Sequence, residues 1–484
     1  MYKNMARGFA VVGAGAVLSA AGISGISTPG AAATAAPMAT LVRGTQLWVK
    51  LYSGPPTTGN FPSSVAVSPG GGTVFVAGTT TRAGSGTGRG SFATVAYKAA
   101  TGAQLWARSY RGPGNGFDRA TSMAVSGGRV FVTGSSATSD GGPGNYATIA
   151  YNAATGTRLW ASSYSGPGNS DDAAASMAVS PRGGRVFVTG CTAVFSSGDV
   201  DYATVAYNAA TGTRLWARSY DRGGTGGGCA TAVAAGPDGG RVFVTGAIDN
   251  NYATVAYNAA TGAQLWARPY PGLRNPGDPI GTVLVAVSGG EVLVTGTTLG
   301  AHSIDYGTVA YSAATGAQLW AKHYSNGRGP SLSNPRSMVV SGGKVFVTGT
   351  SITARSPVSE YATVGYNAAT GAQLWVRLYQ GPDSIGNDPA SVAVSPTGRT
   401  VYVTGTSATG PNGTGDYATI AYNAATGARL WVRRYLGHRP FGNDAASVAV
   451  SPRGGQVFVT GTRYAPTTGP NYPASSYATI AYRG

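Results

Sequence analysis

Five aspartates stand at comparable places along the chain. Asp118, Asp172, Asp278, Asp388 and Asp444 each come just ahead of a short apolar run such as SMAVS or SVAVS. Four further acids, Asp201, Asp305, Glu360 and Asp416, come just ahead of a second recurring run, YATVAY and its variants. Repeated carboxylates converging on one place suit Ca²⁺, which takes about six to eight oxygen ligands. Asp also accepts hydrogen bonds within its own turn, and Asn145 and Asn251 replace the acid in two copies. Turn capping is the preferred reading, and a cation or ligand funnel is the alternative. Phe61, Phe117, Phe195, Phe441, Tyr464 and Tyr472 fall outside the repeating pattern and are candidates for a ligand platform or for loop anchors. His302, His323 and His438 share no metal-ligand spacing, and no Ser–His–acid set emerges. The candidate ligand-binding set is Asp118, Asp172, Asp278, Asp388, Asp444, Phe117, Phe441 and His438. No catalytic or cofactor-binding residue is assigned.

The elements that must position these residues repeat. All eight tryptophans follow Leu, at spacings of 50 to 58 residues. Between successive tryptophans come SMAVS (strand A), RVFVTG (B), YATVAY (C) and RLWARSY (D), shown from residues 176–220. Each is rich in β-branched and aromatic residues and is bounded by Gly, Pro, Asn or Ser. With 76 glycines in 484 residues and 11% charged residues, short strands and tight turns are expected, and helix should be scarce after the first forty residues. Four strands per repeat of this length is the pattern of propeller blades.

Strands A, B and C occur eight times, the last C strand being YATIAY at 477–482. Strand D also occurs eight times, but its first copy, GTQLWVKLY at 44–52, precedes any A strand. It matches GAQLWVRLY at 371–379 in seven of nine positions. The expected fold is therefore all-β: a single eight-bladed propeller of four-stranded antiparallel blades over 41–484, closed by the N-terminal strand completing the last blade. The A–B and C–D turns should emerge on one face, the latter as near-identical NAATG copies. The irregular B–C and D–A loops should emerge on the other face, where function usually sits.

At TGxxLW the repeat resembles the W-motif of pyrroloquinoline-quinone-type propellers. The fuller pattern, DYATVAYNAATGTRLWARSY followed by a GPGN-type loop, SMAVS and RVFVTG, resembles the bacterial β-propeller repeat (SBBP-like) family over nearly the whole mature chain. That resemblance implies a mostly exported propeller and little about activity. Quinone dehydrogenases of this fold class typically use a vicinal cysteine pair. Here Cys191 and Cys229 are apart, and every tryptophan is spent on the repeat. Quinone catalysis is therefore the remote alternative.

Residues 1–36 read as a signal peptide, with Lys3 and Arg7, an apolar run, and small residues for cleavage at about 33–36. No membrane span is expected after cleavage, and the protein should be secreted or associated with the cell wall as a monomer. Export permits oxidation. Cys191 closes a B strand and Cys229 opens the next A strand, on neighbouring units and the same loop face, so a disulfide between them is expected. The formal charge of +17 comes mainly from arginines on the outer strands, expected to form a solvated girdle. Such a girdle suits a loosely held anionic wall polymer or glycan and not specific nucleic-acid recognition. A binding or scaffold role leads, with a hydrolase or lyase on the variable loop face second.

Overall fold

Val, Thr, Tyr and Phe at alternating positions favour extended backbone, and the described residues form strands and turns with no helix. A computed structural model describes residues 42–484, apart from 55–56, 83–88, 115, 168–170, 195–198, 222–226, 249–250, 273–281, 301–302, 327–330, 354–355, 383–385, 410–413, 438–440 and 467–473. The expected signal segment, Asp278, Phe195, His302, His438 and Tyr472 lie outside the described residues.

The strands make six four-stranded antiparallel sheets and one larger sheet. The larger one consists of two antiparallel sets, 284–324 and 331–379, joined by a single parallel bridge between Ile304 and Leu332. Each set runs A–B–C–D in chain order except one, in which Gln46–Tyr52 supplies strand D beside Ala474–Arg483. In that pair Trp48 lies opposite Ala481 and Tyr52 opposite Tyr477. The A strands touch in a closed ring, from Thr57–Val67 through Asp118–Ser126 and onward to Asn443–Val450, which touches Thr57–Val67 again. They therefore surround the axis, and strand D lies at the rim.

The hydrophobic core sits in the seams between sheets. One cluster joins Phe131, Tyr146 and Trp160 to Val186, Val188 and Tyr207 of the next sheet. Each tryptophan is buried, whereas the leucine before it stays 38–50% exposed. The indole covers the C–D turn of the following sheet: Trp106 Nε1–H donates to Ala153 O at 3.0 Å, and Trp320 to Ala368 O at 2.8 Å. The turn's glycine has positive φ, 70° at Gly156, and a Cβ there would strike the Trp106 ring. Glycine is required twice over at this position.

Arginines two residues after tryptophan complete the seam, which corrects the expectation of a purely solvated girdle. Arg377 Nε donates to Gly427 O at 2.9 Å and one Nη to Thr426 O at 2.8 Å. Arg108, Arg218 and Arg268 do the same at their own seams. A planar guanidinium fork matches two adjacent turn carbonyls, so the side chain crosses the seam in preference to extending into water. The seam made by chain closure has the same chemistry: Arg433 Nε donates to Gly44 O at 2.9 Å, and Trp431 lies against Gly44.

In all but one of the four-strand sets, strands B and C are tied by buried threonine pairs, such as Thr133–Thr148 at 2.9 Å and Thr404–Thr419 at 3.1 Å. In one sheet Ala77 stands opposite Thr94, and the Thr94 hydroxyl is buried with no partner. Ala77→Thr restores the pair and should stabilise the protein by about 1 kcal/mol in denaturant melts; a loss of stability would show that the site has no room for the hydroxyl. Deleting 42–52 removes a whole rim strand and the Trp48 contacts with Tyr97, Phe458 and Ala99 O. It should cost at least about 3–5 kcal/mol, and an unchanged melting temperature would contradict closure by this strand.

Candidate functional site

A bulge at the start of strand A positions the loop-face side chains. In each A strand where the pairing is defined at this point, the register shifts at the same place, as between Ala120 and Ser122 or Pro389 and Ser391. The glycine of the opposite TG sequence faces the bulge. A Cβ at Gly134 would strike Arg119 O, and one at Gly405 would strike Asp388 O. This close approach fixes two successive positions at the start of strand A, and because side chains alternate, they point to opposite sides of the sheet.

The structure therefore divides the row of aspartates. Asp118 and Asp172 occupy the first position, opposite Ser136 and Thr192. Asp388 and Asp444 occupy the second, opposite Thr406 and Thr462. Their sequence neighbours Asn387 and Asn443 take the first position in those sheets, and Asn60 and Ser333 take it in two others. One residue of offset separates groups that read as equivalent in the sequence.

First-position residues are buried and hold the D–A loop. Gly112 N–H and Gly166 N–H donate to Oδ2 of Asp118 and Asp172, both at 2.8 Å, and Gly381 N–H donates to Asn387 Oδ1 at 2.9 Å. Burial raises the pKa of Asp118 and Asp172 above the usual aspartate value, although bonds from Ser136, Gly112, Thr192 and Gly166 pull it back. Asparagine makes the same loop bond without a charge to desolvate.

Second-position residues line the mouth of the axis, at the loop-face end of the A strands. Among the described residues the row reads Phe61, Arg119, Ala173, Cys229, Asn334, Asp388 and Asp444. Four of them, Cys229, Asn334, Asp388 and Asp444, bond to the residue after the B-strand glycine of the preceding sheet. Thr297 donates to Asn334 Oδ1 at 3.2 Å, Thr350 to Asp388 Oδ1 at 2.6 Å, and Thr406 to Asp444 Oδ1 at 3.3 Å. Cys191 and Cys229 form a disulfide at this same place, with Cα atoms 4.6 Å apart. The covalent bond thus replaces a hydrogen bond made at other seams.

Asp388 and Asp444 are neighbours in this row. Arg336 Nε lies 3.6 Å from Asp388 Oδ1. Asp444 reaches solvent, yet crowding by surrounding protein raises its pKa, and the like charge of Asp388 adds to this. Hydrogen bonds from Thr406 and Tyr464 oppose the shift. Burial and Asp444 push the Tyr464 hydroxyl up to about 12.

The remaining candidates are dispersed. Asp416 is buried and paired with Arg434 at 3.0 Å, and Asp305 accepts from Ser303 at 2.7 Å. Phe117 is half exposed and lies against Gly90 of the preceding sheet, while Phe441 is partly buried. His323 sits on a rim strand with Nε2 3.3 Å from the Tyr270 hydroxyl. Among the described residues no group of three His, Cys, Asp or Glu is placed to hold a metal. Arg119, Asn334 and Arg336 belong to the mouth and were missed in the sequence. Aligning each A strand on the following TG glycine would have found the first two.

Two stretches, 39–204 and 201–465, match the family model described as outer membrane protein assembly factor BamB. No curated protein matches the sequence. Among solved structures, the quinohemoprotein alcohol dehydrogenase from Comamonas testosteroni is similar at 14% identity and TM-score 0.52, over 90% of this chain and 76% of that one. The Dos1 propeller is similar at 11% identity and TM-score 0.52, over 90% and 95%. Sqt1 from Chaetomium thermophilum, bound to the N-terminus of ribosomal protein L10, is similar at 11% identity and TM-score 0.51, over 90% and 98%. At these identities the likeness shows the propeller fold alone. All eight indoles are buried in the repeat, and the cysteines join two sheets instead of standing side by side.

Folding raises the pKa of Asp118 and Asp172, so the folded chain binds protons before the unfolded one as pH falls. The pair therefore adds stability on acidification between the raised value and the ordinary one near 3.8, and loses it as pH rises. Asp118→Asn with Asp172→Asn should match or exceed the parent at pH 7, within roughly 1 kcal/mol, and should gain less on acidification. A large loss in urea melts at pH 7 would show that the two negative charges are needed.

Proposed function

We propose that the chain, which belongs to the family described as outer membrane protein assembly factor BamB, is an exported eight-bladed propeller that acts as a binding or scaffold module at the cell surface or in the medium. Thirty-two strands among the described residues, in sets of four, support the blade count, with the larger sheet taken as two blades joined at one bridge. The N-terminal segment supports export, and the Cys191–Cys229 disulfide accords with an oxidising compartment. The exported bacterial repeat family that the sequence resembles is part of the same reading.

One observation carries the binding role. The repeating residues are consumed in holding sheets together, whereas the mouth row changes chemistry from one sheet to the next. Phe61 is 42% exposed, and Arg119, Asn334, Asp388 and Asp444 supply donors and acceptors around the same opening. An apolar ring face among directional polar groups suits a glycan or a glycan-like wall polymer. No cofactor and no specific nucleic acid enter this reading, and the active species is a monomer.

A second reading is favoured by the Asp388–Asp444 pair. Neighbouring carboxylates of which one has a raised pKa are the means of general acid–base hydrolysis. Turnover of a bound glycan, lost in Asp444→Asn with binding kept, would establish it.

A glycan and polyanion array with the mature protein tests the leading reading. A bound glycan should lose about tenfold in affinity in Asp388→Ala and Asp444→Ala, about 1.4 kcal/mol each. Polyanion binding should be weak and largely lost at physiological salt, because Arg108, Arg218, Arg268, Arg377 and Arg433 already donate to turn carbonyls. Retained glycan binding in both variants would move the site elsewhere. Salt-resistant, sequence-selective nucleic-acid binding would contradict the reading.

A further inference from the structure

One seam has no basic residue two places after its tryptophan, where five others have arginine and two have lysine. Between the sheet carrying Trp160 and the turn at 208–213, the residue two places after tryptophan is Ser162. The backbone frame there is the usual one: Trp160 Nε1–H donates to Ala209 O at 3.1 Å, Gly212 has φ 75°, and its Cβ position is closed by the Trp160 ring. Ser162 Oγ donates to Gly212 O at 2.7 Å and so takes the first of the guanidinium's usual bonds. Elsewhere the second bond goes to the threonine carbonyl of the turn, as from Arg218 to Thr261 O at 3.0 Å. A third goes to the carbonyl just before the arginine, as from Arg218 to Ala217 O at 2.8 Å. No described side chain donates to the corresponding Thr211 O or Ala161 O. A depression of about 530 Å³ opens at this point, lined by Ser162, Ser163, Tyr207, Gly212, Thr213 and Arg214.

The backbone at this seam thus keeps the turn that receives a guanidinium at five other seams, with Ser162 holding only its glycine carbonyl, and the depression opens beside it. A planar fork can meet two adjacent turn carbonyls at once, which a point-like ammonium does not; Lys50, at the same position elsewhere, lies with its Cε over Gly102. Arg214 on the wall does not exclude a second cation. Its counterparts Arg158 and Arg429 share their seams with Arg108 and Arg377, and both members of each pair lower the pKa of one tyrosine, Tyr151 or Tyr422, against the effect of burial. Arg214 itself leans over the Tyr164 ring, with Cζ 5.7 Å from the centroid.

We propose that this pocket at the rim binds a guanidinium group presented by another polypeptide, an arginine in an exposed segment of a partner. The site lies at the C–D turns, away from the mouth, and is independent of the loop-face reading. N-acetyl-arginine amide, titrated into the full-length protein and followed by calorimetry and NMR, should bind at one saturable site, and N-acetyl-lysine amide should not saturate at the same concentrations. Ser162→Arg should abolish binding and raise the melting temperature, since the protein's own guanidinium then completes the seam. Ser162→Leu, which fills the space without donating, provides a second blocked variant. Arg377→Ser should create a second pocket and raise the stoichiometry from one to two. Absence of saturable binding to the parent protein, or binding unaffected by both Ser162 variants, would overturn the proposal.

Discussion

The fold depends on one recurring contact: a tryptophan of one sheet, joined at five seams by an arginine, closing over the C–D turn of the next. The indole covers a glycine that must have positive φ, and the guanidinium donates to two carbonyls of the same turn. A four-stranded sheet of this length cannot bury both faces alone, so each sheet needs a neighbour on either side. In a finite chain that demand is met only if the last seam equals the first. Gln46–Tyr52 makes it so by bringing Trp48 to Ala99 on one side, while Gly44 receives Trp431 and Arg433 on the other.

Holding the ring consumes the residues that repeat and leaves the residues that vary. The TG glycines accept the strand-A bulge and also the tyrosine hydroxyl of the preceding sheet; a Cβ at Gly349 would lie 2.7 Å from Tyr306 Oη, and one at Gly405 2.8 Å from Tyr361 Oη. The bulge in turn sets which side chains face the mouth. Phe61, Arg119, Asn334, Asp388 and Asp444 all descend from that one backbone feature, although their chemistry is unrelated. The Cys191–Cys229 disulfide uses the same geometry to lock a single seam covalently.

The repeat was legible because its period-2 strands and glycine-rich turns are local signals. The closing strand was legible because GTQLWVKLY repeats an internal segment almost verbatim, and Tyr52 pairs with Tyr477 as Tyr435 pairs with Tyr417. The cysteine pairing could be read from the same topology. The grouping of the five aspartates could not, because a bulge changes the face of a residue without changing its neighbours in the sequence: Asp118 and Asp388 look alike until each is placed against its glycine. The arginines were misread for a related reason. Their acceptors lie about fifty residues away on another sheet, and an outer-strand position by itself suggests only solvent.

Native-state hydrogen exchange tests the equivalence of the seams most directly. If the ring closes through the N-terminal strand as it does elsewhere, the amides of Gln46–Tyr52 and their partners in Ala474–Arg483 should exchange as slowly as those of an interior rim pair, such as Gln264–Tyr270 with Asn251–Asn258. Early, independent exchange of Gln46–Tyr52, with the interior pair still protected, would show an open ring with a frayed end and would contradict the account.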